Sequence, residues 1–306
     1  MILFAWIFSC MDVCAQDSSA VHAPADSIAG RIDSTARDTT SHSIFRRIGD
    51  DFIRQAEAPF RASENDWLHV GGAAVATGMV MYNDGGIDQT MRTLRDYSPA
   101  VNTASPYVTE FGGTYGYVGS ALFIGYSFLF DDKKGKETSI LLTEALITSG
   151  VWAQVFKYAT GRERPSVAFD HLHIHGGIWY GPFKRFNNPE HLPSASFSSF
   201  PSGHTTTAFA IATVFAEQYD ATPVVPVIAY TAASLVGISR MTEHAHWASD
   251  VIAGALLGYF CANDVVSGHR ALSGRISDAS AGGGMDYRLS LGIVGDGVGV
   301  RLALRY

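Results

Sequence analysis

The four residues Pro201-Ser202-Gly203-His204 have the composition of an anion site that also carries an acid. They precede an apolar run, so Ser202 is placed to cap a helix whose first backbone N–H groups stay unpaired. Such a helix N-terminus binds anions, and Gly203 lets the backbone approach a phosphate closely. For Ser202 alone, a plain capped helix is an equal alternative. His204 favours the functional interpretation, because an imidazole beside an anion can act as a general acid.

A second pair, His246 and Asp250, is spaced i, i+4 and shares one face of a helix. A carboxylate bonded to one imidazole nitrogen fixes the tautomer and leaves the other nitrogen free as a nucleophile. An ordinary surface contact is the alternative. The nearby Arg240 favours the catalytic interpretation, because it supplies a cation to the same stretch of chain.

Two further cations, Lys157 and Arg164, stand two helical turns apart in KYATGRERP, before Pro165 bars a regular helix. Taken alone, such a charge run is typical of a solvated helix end. Arg162 lies between the two cations, and we expect it either to touch a substrate or to be solvated.

The elements that must position these residues are six apolar stretches with little charge. They cover approximately 67–82, 112–130, 138–156, 203–216, 222–239 and 247–262. Their lengths exceed those of typical strands, so the pattern predicts an all-α protein, a bundle of six helices. The small residues Gly71, Gly72, Ala73 and Ala74 would permit close helix packing in the first of them.

Helix order predicts that the candidate residues meet. If successive helices run antiparallel, the third and fifth end where the fourth and sixth begin. That end collects Lys157, Arg164, Arg240, His204 and His246, with Asp250 nearby. Such a set of cations and imidazoles is suited to an anionic ligand with several oxygens. The long polar loop 157–201 beside it is of a length that is usually functional.

Composition excludes some partners and indicates a location. The formal net charge is −7 and no basic stripe is present, so we expect no nucleic-acid partner. Residues 1–16 read as a signal peptide or an N-terminal anchor, which predicts export to the cell envelope. Residues 17–45 read as a disordered linker. After cleavage only Cys261 would remain, so no intramolecular disulfide could form.

The rest of the chain divides into a helical domain and an appendage. We assign residues 46–280 to the helical domain. Residues 285–306 alternate apolar and polar side chains around Gly295-Asp296-Gly297, which predicts a small C-terminal β-hairpin. Two strands cannot close a barrel, so packing on the helical domain is favoured over a membrane-barrel role.

Together the motifs resemble the type 2 phosphatidic acid phosphatase and vanadium haloperoxidase superfamily. The family pattern has Lys, six residues and Arg-Pro, matched by Lys157 through Pro165. It continues with Pro-Ser-Gly-His at 201–204, and with Ser-Arg, five residues, His, three residues and Asp at 239–250. All three parts match without substitution and in order. The resemblance covers about 138–262 firmly and the two earlier helices by general shape.

The resemblance implies a role for each matched residue. His246 attacks phosphorus and forms a phosphohistidine, while Asp250 orients it. His204 protonates the leaving alkoxide and then activates water. The phosphoryl oxygens are bound by Lys157, Arg164, Ser202, Gly203 and Arg240. Neither a metal nor a cofactor is required by this scheme, which relies on positioning and charge.

Other functions stay open on the sequence alone. A vanadate-dependent haloperoxidase and a soluble non-specific acid phosphatase use the same motifs. His171, His173 and His175 alternate in a way that resembles a metal site, although exposed loop histidines are the favoured interpretation. An envelope structural protein organised by the hairpin is a non-enzymatic alternative. For His244 and Trp247, we expect local packing rather than a role in substrate entry.

The substrate and the membrane topology are only partly predicted. Lipid phosphates, lipid pyrophosphates and small phosphoesters all suit the motifs, and we favour a lipid-linked substrate. The loop DDKKGKE at 131–137 lies opposite the candidate site, which would place the site on the periplasmic or exterior face of a membrane-associated bundle. A cleaved signal would leave the N-terminus outside, whereas six spans with an outward site require it inside.

Overall fold

The computed structural model describes residues 44–170, 175–184, 193–281, 286–294 and 297–305. The helices in this part of the chain are α1 (Ile44–Arg61), α2 (Glu64–Tyr82), α3 (Asp84–Tyr97), α4 (Pro99–Glu110), α5 (Thr114–Leu129), α6 (Lys133–Thr160), α7 (Pro165–Asp170), α8 (Gly203–Gln218), α9 (Val224–Thr242) and α10 (Ala248–Ala281). A 3₁₀ turn, Ser194–Phe197, precedes α8. The strands β1 (Asp286–Val294) and β2 (Gly297–Arg305) follow α10.

The six apolar stretches coincide with α2, α5, α6, α8, α9 and α10. The described residues contain four helices more than predicted, namely α1, α3, α4 and α7. These were missed because α1 and α3 carry many charged residues and α4 contains Pro106, so none of them shows a continuous apolar run. The predicted targeting segment and nearly all of the predicted linker lie outside the described residues, although Ile44 and Phe45 begin α1.

Local signals set the ends of the helices that position the candidate site. Helix α6 ends at Gly161, whose φ of 54° is in the left-handed region and whose N–H donates to the Lys157 carbonyl at 3.1 Å. A Cβ at position 161 would lie 2.2 Å from the Gly181 carbonyl oxygen. Glycine therefore permits both the turn and the close approach, and the chain leaves α6 directly towards Arg162 and Arg164.

The core of the helical part lies between α8 and α9. It contains Ala208, Phe209, Ala212, Ala216, Tyr230, Ala233 and Val236. Helix α10 approaches α8 closely through two glycines spaced i, i+4: a Cβ on Gly254 would lie 2.5 Å from the Ser202 carbonyl oxygen, and one on Gly258 would lie 2.2 Å from that of Thr206. Small residues at this spacing let two helix backbones come together.

The close packing that Gly71 and Gly72 would permit is not used in the described part of the chain. Outside the backbone of α2 itself, no atom lies within 4 Å of a Cβ built at either glycine, and Val80 is the buried residue of α2. Small residues permit close packing but do not show which helix face has a neighbour. The neighbour is decided by the fold, which uses Gly254 and Gly258 instead.

We expect Gly258→Ala to destabilise the protein by about 1–3 kcal/mol, because the new methyl group overpacks the contact with α8. Gly150→Ala on α6 is the matched control, since the space around Gly150 is open. Alanine is the better helix former there, so the control should be neutral or stabilising by up to about 1 kcal/mol. Denaturant titration in detergent measures both changes. Equal effects of the two substitutions would contradict the packing argument.

The chain divides into two compact units, one ending at Val265 and one starting at Val266. In the second unit, β1 and β2 pair antiparallel, with Asp286 opposite Arg305 and Val294 opposite Gly297. The predicted packing of a hairpin appendage on the helical domain stays a prediction.

Three described helices are long and apolar enough to cross a membrane: α6, α9 and the Ala248–Ser273 part of α10. Many large apolar side chains on these and neighbouring helices are exposed, among them Val151 on α6, Ile228 on α9 and Leu122 on α5. So many exposed large apolar side chains are unusual on a soluble monomer and indicate contact with a membrane or a partner.

Candidate active site

The structure brings the predicted site residues together where α6, α8, α9 and α10 meet. These residues are Lys157, Arg164, Ser202, Gly203, His204, Arg240, His246 and Asp250. The Ser202 N–H donates to the Asp250 carbonyl oxygen at 2.9 Å, which joins the start of α8 to α10. The Lys157 ammonium donates to the Ser198 carbonyl oxygen at 2.8 Å, which joins the end of α6 to the segment before α8.

The His246 side chain is buried and held in one orientation by the backbone of Ser199. Its Nδ1 lies 2.7 Å from the Ser199 carbonyl oxygen. A carbonyl oxygen can only accept a hydrogen bond, so Nδ1 carries the proton and donates. The neutral imidazole then has its lone pair on Nε2, which is the nitrogen able to act as a nucleophile.

The i, i+4 spacing predicted a direct hydrogen bond between Asp250 and His246, and the structure does not contain this bond. Its Oδ2 lies 3.8 Å from His246 Nδ1, beyond hydrogen-bond distance. The same oxygen accepts hydrogen bonds from the Ser199 hydroxyl at 2.5 Å and from the Trp247 N–H at 3.0 Å. Asp250 therefore fixes the two segments that hold the imidazole, and places a negative charge behind it.

Arg162 is neither solvated nor placed to touch a substrate, so both expectations for it were wrong. Its side chain is fully buried. The guanidinium donates to Asp250 Oδ1 at 2.5 Å and to Asp84 Oδ2 at 2.6 Å. It also donates to the Gly176 carbonyl oxygen and to the Ser249 hydroxyl. Arg162 thus links the loop after α6 to α3 and α10 in one buried chain of charges.

Asp84 is the residue at the far end of this chain. Besides pairing with Arg162, its carboxylate accepts from the Ser249 N–H at 2.9 Å and from the Ser249 hydroxyl at 2.5 Å. It therefore caps the first turn of α10, next to Asp250. Burial raises the pKa of Asp84, while Arg162 and Ser249 counteract this. The sequence signal was its position directly after an apolar helix, in Asn83-Asp84-Gly85-Gly86.

The cations form the wall that faces the start of α8. A Cβ on Gly203 would lie 3.7 Å from the Lys157 Cε, so the lysine side chain lies across the helix N-terminus. Arg240 donates from one guanidinium nitrogen to the Thr109 hydroxyl at 3.2 Å. Its buried Nε has no hydrogen-bond partner among the described residues. An oxyanion between these groups would be bound by charge and by N–H donors together.

Ser202 occupies the N-cap position of α8 as predicted, but its hydroxyl makes no capping bond. Instead the hydroxyl oxygen accepts from the Thr205 hydroxyl at 2.9 Å. Its own hydrogen stays available to a ligand. The first N–H groups of α8 also lack intrahelical acceptors by geometry.

Burial and neighbouring cations keep both histidines neutral. The pKa of His204 is lowered to about 4, first by burial and then by Arg240. The pKa of His246 is lowered well below its ordinary value, again by burial and then by Arg164, Lys157 and Arg240. At neutral pH both imidazoles are therefore neutral.

The turn between α4 and α5 packs on His204, which sequence reasoning did not foresee. A Cβ on Gly112 would lie 2.4 Å from the His204 carbonyl oxygen, and one on Gly113 would lie 2.8 Å from its Nε2. The paired glycines in Phe111-Gly112-Gly113-Thr114 were a turn signal. Only the fold shows that this turn borders the imidazole.

Two other expectations have structural outcomes. Trp247 is buried and donates from its indole N–H to the Glu163 carbonyl oxygen at 2.8 Å, which agrees with a packing role. His244 adopts a left-handed backbone, with Nδ1 at 3.0 Å from Asp88 Oδ1. The alternative metal site lies largely outside the described residues, which include His175 alone of its three histidines.

The helical scaffold gathers three cations and two neutral histidines at one end, an arrangement that suits a tetrahedral oxyanion. The sequence profile of the PAP2 superfamily matches residues 138–272, from within α6 to within α10. The match covers less than half of the chain, so what it gives is a similarity of this region to the PAP2 superfamily.

Three curated relatives carry the name lipid A 1-phosphatase. The protein of Porphyromonas gingivalis is 53% identical over 62 residues, which cover 20% of this chain and 14% of that protein. That of Rhizobium etli is 37% identical over 117 residues, or 38% of this chain and 44% of the relative. That of Rhizobium johnstonii is 36% identical over 113 residues, or 37% and 40%. The chain therefore aligns with less than half the length of each relative.

Two solved structures resemble the chain at low sequence identity. LpxE from Aquifex aeolicus is 24% identical, with a TM-score of 0.42 over 59% of this chain and 93% of that one. The first transmembrane PAP2 type phosphatidylglycerolphosphate phosphatase from Bacillus subtilis is 21% identical, with a TM-score of 0.47 over 75% of this chain and 96% of that one.

Proposed function

We propose that the protein is a metal-independent phosphatase that hydrolyses lipid-linked phosphomonoesters or pyrophosphates through a phosphohistidine intermediate. The observation that carries this proposal is the buried His246, held as the Nδ1–H tautomer by the Ser199 carbonyl oxygen. Three cations lie close enough to depress its pKa. These fixed charges can supply the stabilisation that metal ions supply in other phosphoryl transferases, so the scheme does not require a metal.

In the first step, His246 Nε2 attacks phosphorus in line with the leaving oxygen. The N–P bond forms as the P–O bond to the alcohol breaks, and His204 gives its proton to the departing alkoxide. Lys157, Arg164 and Arg240 stabilise the charge on the non-bridging oxygens. The imidazole gains positive charge as it is phosphorylated. The Nδ1–H bond to Ser199 therefore strengthens during the step.

In the second step, water attacks the phosphohistidine. His204, now neutral, takes a proton from that water as the new P–O bond forms. The N–P bond breaks, inorganic phosphate is released and His246 returns to its Nδ1–H tautomer. The cycle thus uses His204 first as acid and then as base, and regenerates the starting protonation state.

We predict that His204 takes up a proton from solvent when an anion binds. Its pKa of about 4 in the empty site reflects burial and the cations around it. A bound dianion offsets Arg240, Lys157 and Arg164, which raises the pKa towards or above the ordinary value of about 6.5. Binding at pH 6–7 therefore takes up as much as about one proton.

Calorimetry with tungstate, in two buffers of different ionisation enthalpy, measures this uptake. Tungstate is a tetrahedral dianion that does not itself titrate at neutral pH. His204→Gln should bind tungstate with most of the uptake lost. Uptake that is absent in the natural protein, or equal in the variant, contradicts the assignment of His204 as the acid.

The proposals of a lipid-linked substrate and of an exterior orientation are supported by the apolar surface and by the distribution of lysines. Many large apolar side chains are exposed, three described helices are long and apolar enough to cross a membrane, and the aligned relatives are named for a lipid phosphatase activity. Lys133, Lys134 and Lys136 lie at the start of α6, at the opposite end of that helix from Lys157. The positive-inside rule places such a loop in the cytoplasm and the site on the periplasmic or exterior face.

A substrate panel on the purified, detergent-solubilised protein tests the proposal. Phosphate release is measured from lipid A, phosphatidic acid, a prenyl pyrophosphate and a water-soluble phosphomonoester, with EDTA present throughout. We expect release from at least one lipid substrate to exceed that from the soluble ester. Preference for the soluble ester would indicate the acid-phosphatase alternative. Halide oxidation that depends on added vanadate, without phosphate release, would indicate a haloperoxidase.

A further inference from the structure

Helix α1 buries polar side chains and exposes some of its largest apolar ones. Its buried residues are Asp51 and Gln55. Its other large apolar residues, Ile44, Ile48 and Phe52, are half-buried, and the charged Arg46 and Asp50 are exposed. Three large apolar residues are exposed: Phe45 is 81% exposed, Ile53 is 58% exposed and Phe60 is 90% exposed. These three residues fall on one face at the helical period, and we refer to them as the α1 apolar stripe.

Ion pairs with buried carboxylates fix the polar face of α1 against its neighbours. Arg47 Nε lies 2.6 Å from Glu144 Oε1 on α6, where the Glu144 side chain is only 2% exposed. Arg54 Nε lies 3.0 Å from Asp264 Oδ2 on α10, and a second guanidinium nitrogen lies 2.6 Å from Asp51 on α1 itself. Rotating α1 would leave Glu144 buried without its arginine, which is strongly unfavourable.

Gln55 adds a second set of contacts to the same two helices. Its amide donates to the Thr148 hydroxyl at 3.3 Å and to the Cys261 carbonyl oxygen at 3.4 Å. Its carbonyl oxygen accepts from the Trp152 indole N–H at 2.9 Å. The orientation of α1 is therefore determined by its polar side, and the apolar stripe has no freedom to turn inward.

These contacts also show which part of α6 is packed against α1. Arg47 meets Glu144, whereas Gln55 meets Thr148 and Trp152, so the two helices run in the same direction. Glu144 is about 16 Å from the first residue of α6, and Trp152 is about 12 Å from the last, at 1.5 Å per residue. Helix α1 thus packs against the middle of a helix that is long and apolar enough to cross a membrane.

We propose that α1 is a lipid-facing helix, and that the acyl chains of the bilayer cover the α1 apolar stripe. Ionisable side chains at membrane depth pair with one another inside the protein, as Arg47, Arg54, Glu144 and Asp264 do. The mean hydropathy of α1 conceals this role, because half of the helix is polar. The inference rests on the membrane association in the proposed function, but not on the catalytic chemistry.

The two helices that α1 packs against also expose apolar side chains. Val151, Val155 and Phe156 on α6 are exposed, as is Phe260 on α10. Both helices are long and apolar enough to cross a membrane. A second copy of the chain is the competing occupant, which the experiment below separates from lipid.

Spin labels attached to single cysteines, with the protein in proteoliposomes, test whether the α1 apolar stripe faces lipid. The three cysteines are replaced by alanine, and a nitroxide is attached at Ile53→Cys. Val151→Cys on α6 and Asp220→Cys in the exposed α8–α9 loop are the two references. Collision rates with oxygen, which concentrates in lipid, and with a water-soluble nickel complex are compared at each site. We expect a several-fold higher oxygen-to-nickel ratio at Ile53 and Val151 than at Asp220.

Each other outcome overturns the proposal in a recognisable way. A ratio at Ile53 equal to that at Asp220, with Val151 still lipid-exposed, places α1 in water. An immobilised Ile53 label with spin–spin coupling shows a second copy on the stripe. Water exposure at both Ile53 and Val151 also removes membrane association from the proposed function, whereas phosphatase activity is measured separately on the same samples.

Discussion

Replacing His246 by alanine is expected to lower kcat for the best lipid substrate by at least about 10³-fold. The variant keeps all three cations and the start of α8, so tungstate should bind within about tenfold of its original affinity. The loss thus falls on the chemical step, because His246 is the proposed nucleophile and the groups that bind the anion are unchanged. Phosphate release and tungstate calorimetry on the same preparation measure the two effects.

His204→Ala is the informative comparison for that experiment. A general acid contributes about 10²–10⁴-fold when the leaving group is a poor one. Nitrophenolate leaves without a proton, so His204→Ala should lose much less activity on nitrophenyl phosphate than on a lipid phosphate. His246→Ala should lose both activities. Near-original turnover by His246→Ala, or no acid-labile phosphoenzyme in the natural protein during turnover, would refute the phosphohistidine mechanism.

Arg162→Met is expected to lower the free energy of unfolding by about 3–5 kcal/mol, the usual result of removing one partner from a buried ion pair. The substitution keeps most of the side-chain volume but leaves Asp84 and Asp250 buried and facing each other. Turnover should also fall, because Asp250 holds Ser199 and Trp247, and these hold His246. Denaturant titration in detergent measures the stability, and kcat of the folded fraction measures the positioning.

The double variant Arg162→Met/Asp84→Asn separates a network of charges from simple packing. Neutralising one carboxylate removes part of the repulsion, so the double variant should be more stable than Arg162→Met alone. The matched control is Asp88→Asn, because Asp88 lies one turn along α3 and pairs with His244 rather than with Arg162. Adding Asp88→Asn to Arg162→Met should give a double variant that is no more stable than Arg162→Met alone. Strictly additive losses from Arg162→Met and Asp84→Asn would argue that these groups do not interact.

Part of the active site could be predicted from residue types and spacing. The matches at 157–165, 201–204 and 239–250 identified the cations, both histidines and Asp250, and antiparallel helix order predicted that they meet. The roles of these residues remain proposals. The direct bond between Asp250 and His246 was predicted wrongly from the spacing, because i, i+4 positions share a helix face only where both residues are helical. His246 precedes α10, in a turn where the Ser199 carbonyl oxygen reaches it first.

Other parts of the site were beyond the reach of local pattern. Arg162 contacts Asp84, 78 residues earlier, and Asp250, 88 residues later. Nothing in the residues next to Arg162 distinguishes a solvated arginine from one in a buried network. The same holds for Gly112 and Gly113, whose sequence indicates a turn but not the imidazole packed on it. Such contacts depend on which helices become neighbours.

By itself the sequence determined the helical class, the apolar stretches and the resemblance to a family, because each is carried by residue type and local period. Only the tertiary structure decided which face of each helix is covered. In α1, Asp51 and Gln55 are buried while Phe45, Ile53 and Phe60 are exposed. The reason is physical: Glu144 is a buried acceptor on α6 and Asp264 a partly buried one on α10, and pairing them with Arg47 and Arg54 costs less than leaving them alone.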